Sequence, residues 1–186
     1  KYYCYLYSKL FALDIFEKLC EKHNKKRSLW MLGKPVGTGG KEVIERCKKL
    51  KQKGYDISFS EKFIPEEVYD KVLNESNIIF SPLNVVTKRD SGIKEIYGKT
   101  EGSALPFEAI QYMKPIILPY EFNVVNKIMS STLRYKNKND LKNIIIELIE
   151  NKDKLEKIEK EAEKNSKKYS IENLQKYFKE NILNEI

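Results

Sequence analysis

Short apolar runs alternate with amphipathic helical patterns along this chain, and that alternation limits the folds open to it more than any other feature. Strand-like runs occupy residues 27–32, 56–59, 77–80, 116–118 and 132–135. Helical patterns separate and follow them, at residues 8–23, 41–53, 65–74, 103–113, 153–168 and 171–183, with one more capped by Asp140. Repeated strand–helix–strand units are typical of a parallel sheet that helices cover on both faces. The sequence therefore predicts a single α/β, Rossmann-like domain over residues 1–186, with a mainly helical tail from 137 to 186.

The predicted sheet also indicates where a ligand would bind. In open parallel sheets, ligands bind outside the carboxyl ends of the strands, near the point where the strand order reverses. We expect the loops that follow Leu32, Phe59, Phe80 and Tyr97 to lie along that edge. Residues 84–100 form a polar connection just before one of these loops, and connections of this length are often functional.

A glycine cluster follows the first predicted strand but fits no phosphate-binding motif. Its members are Gly33, Gly37, Gly39 and Gly40. The glycine–lysine spacing of a P-loop is absent, and the GxGxxG pattern cannot be matched. A turn whose backbone approaches a ligand and a plain connecting turn both remain open. The chain also contains no GxSxG nucleophile elbow, which argues against serine-hydrolase chemistry.

The net charge of +8 is concentrated in the first third of the chain. Residues 1–53 hold 14 basic and 5 acidic side chains, a net of +9, whereas the remainder is nearly neutral. Such a surface could simply be solvated, or it could bind a polyanion, a membrane surface or a phosphorylated substrate. The lysines within residues 48–53 have no aromatic residues among them, so we expect no nucleic-acid partner.

Cysteine and histidine usage predicts neither a metal site nor a disulfide framework. The three cysteines have no metal-ligand spacing, and their odd number indicates reduced thiols. His23 is the single histidine of the sequence. Nothing in the given residues resembles a signal peptide or the ~20-residue apolar run of a membrane span. Because the sequence begins at Lys1 without methionine, we expect a fragment of a longer protein.

The most informative stretch is YGKTEGSALPFEAIQYMKPIILP, residues 97–119. A glycine turn and a small-residue loop lead into a short helix that carries Glu108 near its start, and a strand follows Pro115. Such a helix N-terminus offers unpaired N–H groups to a phosphate, and a carboxylate can accept from two vicinal hydroxyls. Lys99 could neutralise phosphate charge beside them, although both charges could also be ordinary surface groups. The stretch therefore favours a nucleotide-sugar pocket.

The order of these residues resembles that of the GT-B glycosyltransferases. EGSALPFEA resembles the donor-site signature of that class, and KPIILP resembles the strand that follows its glutamate helix. The segments LWMLG, ISFSEKFIPEEVYDKVLNESNIIFSPL, YKNKNDL, LIENKDKL and KYSIEN occur in the matching order, so the resemblance covers about residues 8–178. It is in particular a resemblance to retaining enzymes of family 4 that build bacterial capsules and surface polysaccharides.

The resemblance implies the C-terminal, donor-binding half of a two-domain hexosyltransferase, separated here from its N-terminal acceptor domain and inactive alone. It implies that Glu108 binds the ribose hydroxyls and that backbone amides of the preceding loop hold the diphosphate. The usual spacing of the two acidic residues in the family would place the earlier one at Thr100, but the acidic residue of this chain is the next one, Glu101. Glu101 is therefore the catalytic candidate. The candidate donor-binding residues are Glu108, Gly102, Ser103, Ala104, Leu105, Lys99, Thr100, Phe63, Ile64 and Lys9.

The same resemblance makes a nucleotide-diphosphate sugar the expected substrate, with no metal and no other cofactor. A helix N-terminus and cations would stabilise the leaving diphosphate instead. We expect a cytoplasmic protein, and peripheral contact with the inner membrane face stays open. Two alternatives to the transferase remain. One is a non-catalytic basic α/β module that binds a polyanion or membrane surface through residues 1–53, and the other is half of a GT-B-type sugar epimerase.

Overall fold

The computed structural model describes residues 2–4, 9–23, 27–33, 35, 37–88 and 92–181. The strands are β1 (Tyr2–Cys4), β2 (Ser28–Met31), β3 (Asp56–Phe59), β4 (Ile78–Phe80), β5 (Val86–Lys88), β6 (Lys94–Ile96), β7 (Ile116–Pro119) and β8 (Thr132–Tyr135). The helices are α1 (Lys9–His23), α2 (Gly37–Gln52), α3 (Glu66–Glu75), α4 (Leu105–Gln111), α5 (Lys138–Glu150), α6 (Lys152–Lys167) and α7 (Ile171–Asn181), with a 3-10 helix at Asn126–Ser131.

A single parallel sheet organises the chain. Its strands lie in the order β3-β2-β1-β4-β7-β8, and each neighbouring pair is parallel. The strand order reverses between β1 and β4, where the chain crosses from one half of the sheet to the other. This arrangement confirms the predicted α/β, Rossmann-like fold class.

Two apolar cores cover the two faces of the sheet. Helices α1, α2 and α5 pack on one face, where Leu13, Leu50 and Leu141 are fully buried. Helices α3 and α4 and the 3-10 helix pack on the other face, around Leu73 and Phe122. Each such side chain contributes about 1.5–3 kcal/mol of transfer free energy, so the helices are held firmly against the strands.

Two features of the sheet differ from the sequence prediction. Strand β1, which no pattern predicted, lies at the centre of the sheet between β2 and β4. The predicted polar connection over residues 84–100 contains an antiparallel hairpin, β5–β6, in which Thr87 pairs with Glu95. Each of these strands is only three residues long, too short to show a recognisable alternation of apolar and polar residues.

Most predicted elements lie within a few residues of the observed ones, but three helices differ from the prediction. Helix α2 begins at Gly37 and not at the predicted residue 41, so Gly37, Gly39 and Gly40 of the glycine cluster lie in a helix and not in a turn. Helix α5 is capped by the Asn137 side chain, which accepts from the backbone N–H groups of Asn139 and Asp140. Asp140 instead accepts from the N–H of Lys136, so the two side chains form a reciprocal cap. Helix α4 is shorter than the predicted 103–113 at both ends. It begins at Leu105, and after Gln111 the backbone leaves the helix and reaches a φ of 55° at Met113. None of the described helices is both long enough and apolar enough to cross a bilayer.

Candidate functional site

The carboxyl ends of the parallel strands bring the predicted site loops to one edge of the sheet. The loops after Leu32, Phe59 and Phe80 leave this edge, as the sequence predicted, since β2, β3 and β4 run in the same direction. The β5–β6 hairpin is an excursion from it, and the N–H of Tyr97 closes the excursion by donating to the carbonyl of Val85 at 2.9 Å. Helix α4 then runs back from this rim toward the start of β7.

Glu108 lies in the first turns of α4 and faces α3. Its Oε1 atom accepts from the Tyr69 hydroxyl at 2.5 Å. Its Oε2 atom is buried and has no hydrogen-bond partner among the residues that the structure describes. Burial raises the pKa of the Glu108 carboxyl, and the hydrogen bond from Tyr69 partly opposes that rise. A buried acceptor without a donor is unfavourable for folding, so this carboxylate has unused capacity for a ligand hydroxyl.

The turn before α4 is anchored to the loop that follows β7. Gly98 has a φ of 80°, and a Cβ atom there would lie 2.7 Å from the Asn123 carbonyl oxygen. The Asn123 side chain also donates to the Gly98 carbonyl at 3.0 Å. Thr100 is engaged within the turn, because its hydroxyl accepts from the Ile96 N–H and donates to Glu95. The turn therefore presents Lys99 at an exposed tip, beside half-buried Glu101.

The small-residue loop between this turn and α4 has free amides. Ala104 occupies the N-cap position and its side chain forms no capping hydrogen bond. The next amide, the N–H of Leu105, donates only over a long 3.4 Å to the Ser103 hydroxyl. Within the described chain, no hydrogen bond occupies the N–H groups of Gly102, Ser103 and Ala104. Gly102 and Ala104 are exposed, so these donors face solvent at the rim. Leu105 is itself buried in the core, and of its groups only the backbone can face a ligand.

Two predicted site residues, Phe63 and Ile64, lie in the loop after the edge strand β3. Phe63 is 81% exposed, which is unusual for so large an apolar side chain. Ile64, its neighbour, is buried in the core beneath α3. The side chain of Lys9 lies outside the described residues. The structure therefore brings the 99–108 stretch together on the rim and places Phe63 on the same rim nearer the sheet edge.

Sequence reasoning missed two residues next to Glu108. Tyr69 is the hydrogen-bond donor to Glu108, and Phe107, next to Glu108, is 69% exposed in the first turn of α4. The contact of Tyr69 joins positions 39 residues apart. A single sequence carries no signal for such a pair, whereas the exposed aromatic at 107 follows from its place opposite buried Leu105 and Ala109. Among the described residues, no group of three or more side chains could hold a metal ion.

This fold is shared with solved structures, and those matches support a GT-B type of half-fold. The N-terminal domain structure of Candida albicans trehalose-6-phosphate phosphatase matches at a TM-score of 0.58 and 13% identity, over 99% of this chain and 42% of that one. Neisseria meningitidis UDP-GlcNAc 2-epimerase bound to UDP-GlcNAc matches at 0.57 and 14%, over 98% and 43%. A trehalose-6-phosphate structure from E. coli bound with UDP-2-fluoro glucose matches at 0.55 and 14%, over 96% and 42%.

These identities are low, so the likeness shows the fold alone. The chain spans only 42% or 43% of the length of each of these solved chains. The chain matches no known protein-family profile and no curated protein sequence. The matches therefore support the GT-B half-fold, but they do not support the narrower assignment to family 4.

Proposed function

We propose that this chain is the donor-binding half of a glycosyltransferase that moves a sugar from a nucleotide-diphosphate sugar to a saccharide or lipid-linked acceptor. The observation that carries the proposal is the unpartnered Oε2 atom of Glu108 at the carboxyl rim of the sheet. The fold supports it, since structures bound to UDP-GlcNAc and to UDP-2-fluoro glucose share it. Capsule or surface-polysaccharide synthesis by a retaining, family 4 type of enzyme is the narrower form of the proposal.

The donor would lie along the rim. Glu108 would accept from the two ribose hydroxyls, displacing or sharing the Tyr69 contact, and Phe63 would border the base. The free amides of Gly102, Ser103 and Ala104 would hold the diphosphate, with Lys99 neutralising charge that grows on it as the sugar leaves. Glu101 stays the candidate for contact with the transferred sugar.

The acceptor and its deprotonation belong to a second domain in this proposal. Fixing the nucleotide at one end lowers the entropic part of the barrier when that domain closes over the sugar. The chain by itself would then bind nucleotide weakly and transfer nothing. Transfer activity would appear only in the full protein, where the stereochemistry at the anomeric carbon could be read by NMR.

Calorimetric titration of the chain with UDP, GDP, ADP and dTDP tests the proposal. We expect one of them to bind and Glu108→Gln to weaken that binding, while Glu67→Gln, an exposed first-turn carboxylate of α3, leaves it unchanged. Absence of binding by all of the nucleotides, or equal binding by the Glu108 variant, would refute the assignment.

The epimerase half is the second candidate, and the match to UDP-GlcNAc 2-epimerase over 98% of this chain favours it. It uses the same nucleotide site, so nucleotide binding does not separate the two. Incubating the full protein with UDP-GlcNAc and following inversion of the sugar by NMR does separate them. Inversion without an acceptor would favour the epimerase, and acceptor-dependent release of UDP would favour the transferase.

The basic-module alternative gains no support from the helices that carry the excess charge. Arg46 and Lys53 of the α2 region both bind Glu17 of α1, and Lys48 binds Glu45 and Glu61. Glu17 and Glu45 are already subtracted in the net charge of residues 1–53, so only the pair with Glu61 lowers that charge further. The three cations are nevertheless engaged within the protein.

A further inference from the structure

A cleft beside the proposed donor site contains a cation, Arg134, that the proposed nucleotide contacts do not use. It lies at the carboxyl ends of β7 and β8, with a volume of about 380 Å³, and its lining includes Lys99, Glu121, Asn123, Asn126 and Arg134. A volume of that order exceeds what a phosphate group fills and falls in the range of small-molecule pockets. The cleft therefore has room for a sugar unit.

Arg134 is held in place at the cleft by contacts with two uncharged groups. Its guanidinium donates to the Phe122 carbonyl at 2.9 Å and stacks 4.5 Å from the centroid of the Tyr120 ring. Lys136 lies 5.2 Å from the same ring. Within the described part of the chain, neither of these cations nor Lys99 forms an ion pair. A fixed, planar guanidinium is the side chain best suited to bind a carboxylate through two hydrogen bonds.

The position of the cleft on the rim decides which part of a donor would reach it. Phe63 follows β3 at one edge of the sheet, Glu108 and the 102–104 loop come after β4, and the cleft follows β7 and β8 at the other edge. A nucleotide with its base near Phe63 and its ribose on Glu108 extends its diphosphate and sugar toward the cleft. The loop contacts between Gly98 and Asn123 join the two regions into one surface.

We propose that this cleft receives the carboxylate of an acidic sugar, so that the preferred donor is a nucleoside-diphosphate hexuronic acid rather than a neutral hexose. The inference rests on the proposed function and adds the substrate class. Arg134 binds the carboxylate, Lys99 lies within reach of the same charge, and the amides of Asn123 and Asn126 suit the sugar hydroxyls. Glu121 also lines the cleft, and its carboxylate would repel a second negative group. A sugar with a single carboxylate therefore fits the cleft best.

Matched donor pairs test this inference. The chain is titrated with UDP, UDP-glucose and UDP-glucuronic acid, and with GDP, GDP-mannose and GDP-mannuronic acid. We expect the acidic sugar of one pair to bind roughly tenfold more tightly than its neutral partner, the effect of one charge-assisted hydrogen-bond pair. Arg134→Gln should bring that ratio close to one while free UDP or GDP binds as before, and Arg134→Lys should restore part of it. Lys157→Gln removes an exposed charge on α6 and should leave the ratio unchanged.

Each alternative result has a definite meaning. Equal binding of acidic and neutral sugars by the unaltered chain would overturn the acidic-sugar inference and leave the nucleotide site standing. Equal weakening of UDP, UDP-glucose and UDP-glucuronic acid in Arg134→Gln would show that the guanidinium serves the diphosphate, and would overturn the inference as well. If Arg134→Gln does not fold, Lys99→Gln on the exposed turn must still lower the ratio. Absence of all nucleotide binding would refute both this inference and the proposed function.

Discussion

Replacing Glu108 by glutamine tests whether its carboxylate serves ligand binding or the stability of the fold. Glutamine has the same shape and can still accept from the Tyr69 hydroxyl, but it removes a charge whose second oxygen is buried without a partner. We expect the free energy of unfolding at neutral pH to stay constant or rise by about 1 kcal/mol. For a domain of this size, that rise corresponds to an increase in Tm of roughly 2–4 °C.

The difference in Tm between the Glu108→Gln variant and the unaltered protein should depend on pH. Burial raises the pKa of Glu108 above its value in the unfolded chain, so the folded protein binds the proton more tightly. The stability of the unaltered protein therefore falls as pH rises from about 4 through the folded pKa. The variant lacks this loss, so its advantage in Tm should vanish below about pH 4 and grow toward neutral pH.

The effect on binding should be opposite and larger. Hydrogen bonds to a charged acceptor contribute about 1.5–3 kcal/mol, so the affinity for the nucleotide should fall by roughly 10- to 150-fold. Calorimetric scans across the pH range and titration with the nucleotide measure the two effects on the same protein. A Tm lowered by several degrees together with unchanged nucleotide affinity would refute the reasoning, because Glu108 would then be a structural residue.

Three further predictions concern stability. Gly98→Ala should lower the free energy of unfolding by about 2 kcal/mol, because its φ is 80° and the new Cβ would lie 2.7 Å from the Asn123 carbonyl oxygen. Glu17→Gln should cost about 1–2 kcal/mol at neutral pH. The hydrogen bond from Lys53 is the main cause of the lowered Glu17 pKa, so this cost should disappear as pH falls below about 4. Asn165→Ala should cost about 1–3 kcal/mol, because this buried amide donates to two serine hydroxyls of the 3-10 helix region.

Urea unfolding monitored by circular dichroism measures all three, and each has a matched control. Gly102→Ala adds a Cβ that meets nothing within 4 Å, so a loss equal to that at 98 would contradict the steric argument. Glu156→Gln changes an exposed carboxylate of α6 and is the control for Glu17→Gln. A loss of stability in Glu17→Gln that persists at low pH would contradict the argument from its ion pairs. Asn143→Ala removes an exposed amide of α5, and an effect as large as that at 165 would contradict the role of burial.

The sequence predicted the regular part of the fold well because that part follows from local patterns. Strand β3 and strand β8 lie where the apolar runs placed them. Helix α3 starts directly after Pro65, which occupies the N-cap and not the first helical position. The central strand β1 and the β5–β6 hairpin were missed. Three-residue strands depend on hydrogen bonds to neighbouring chain segments, and no period in the sequence records those partners.

Part of the candidate site could likewise be recognised from the sequence, and part only from the structure. The glycine turn, the loop and Glu108 form a continuous stretch that could be recognised from its residue order. Tyr69 and Arg134 could not, because each reaches the rim from a separate element through a contact that only folding creates. The role of Thr100 was also open in the sequence, and the structure shows its hydroxyl engaged within the turn.

The amino-acid order alone thus determined an α/β chain with a small-residue loop and a carboxylate at a helix start, since these depend on neighbours within a few positions. Tertiary structure alone decided that the Glu108 carboxylate is buried with one oxygen unsatisfied, and that a cationic cleft lies further along the same rim. Burial and the pairing of charges depend on which distant segments a parallel sheet brings together, and that information is absent from any local pattern.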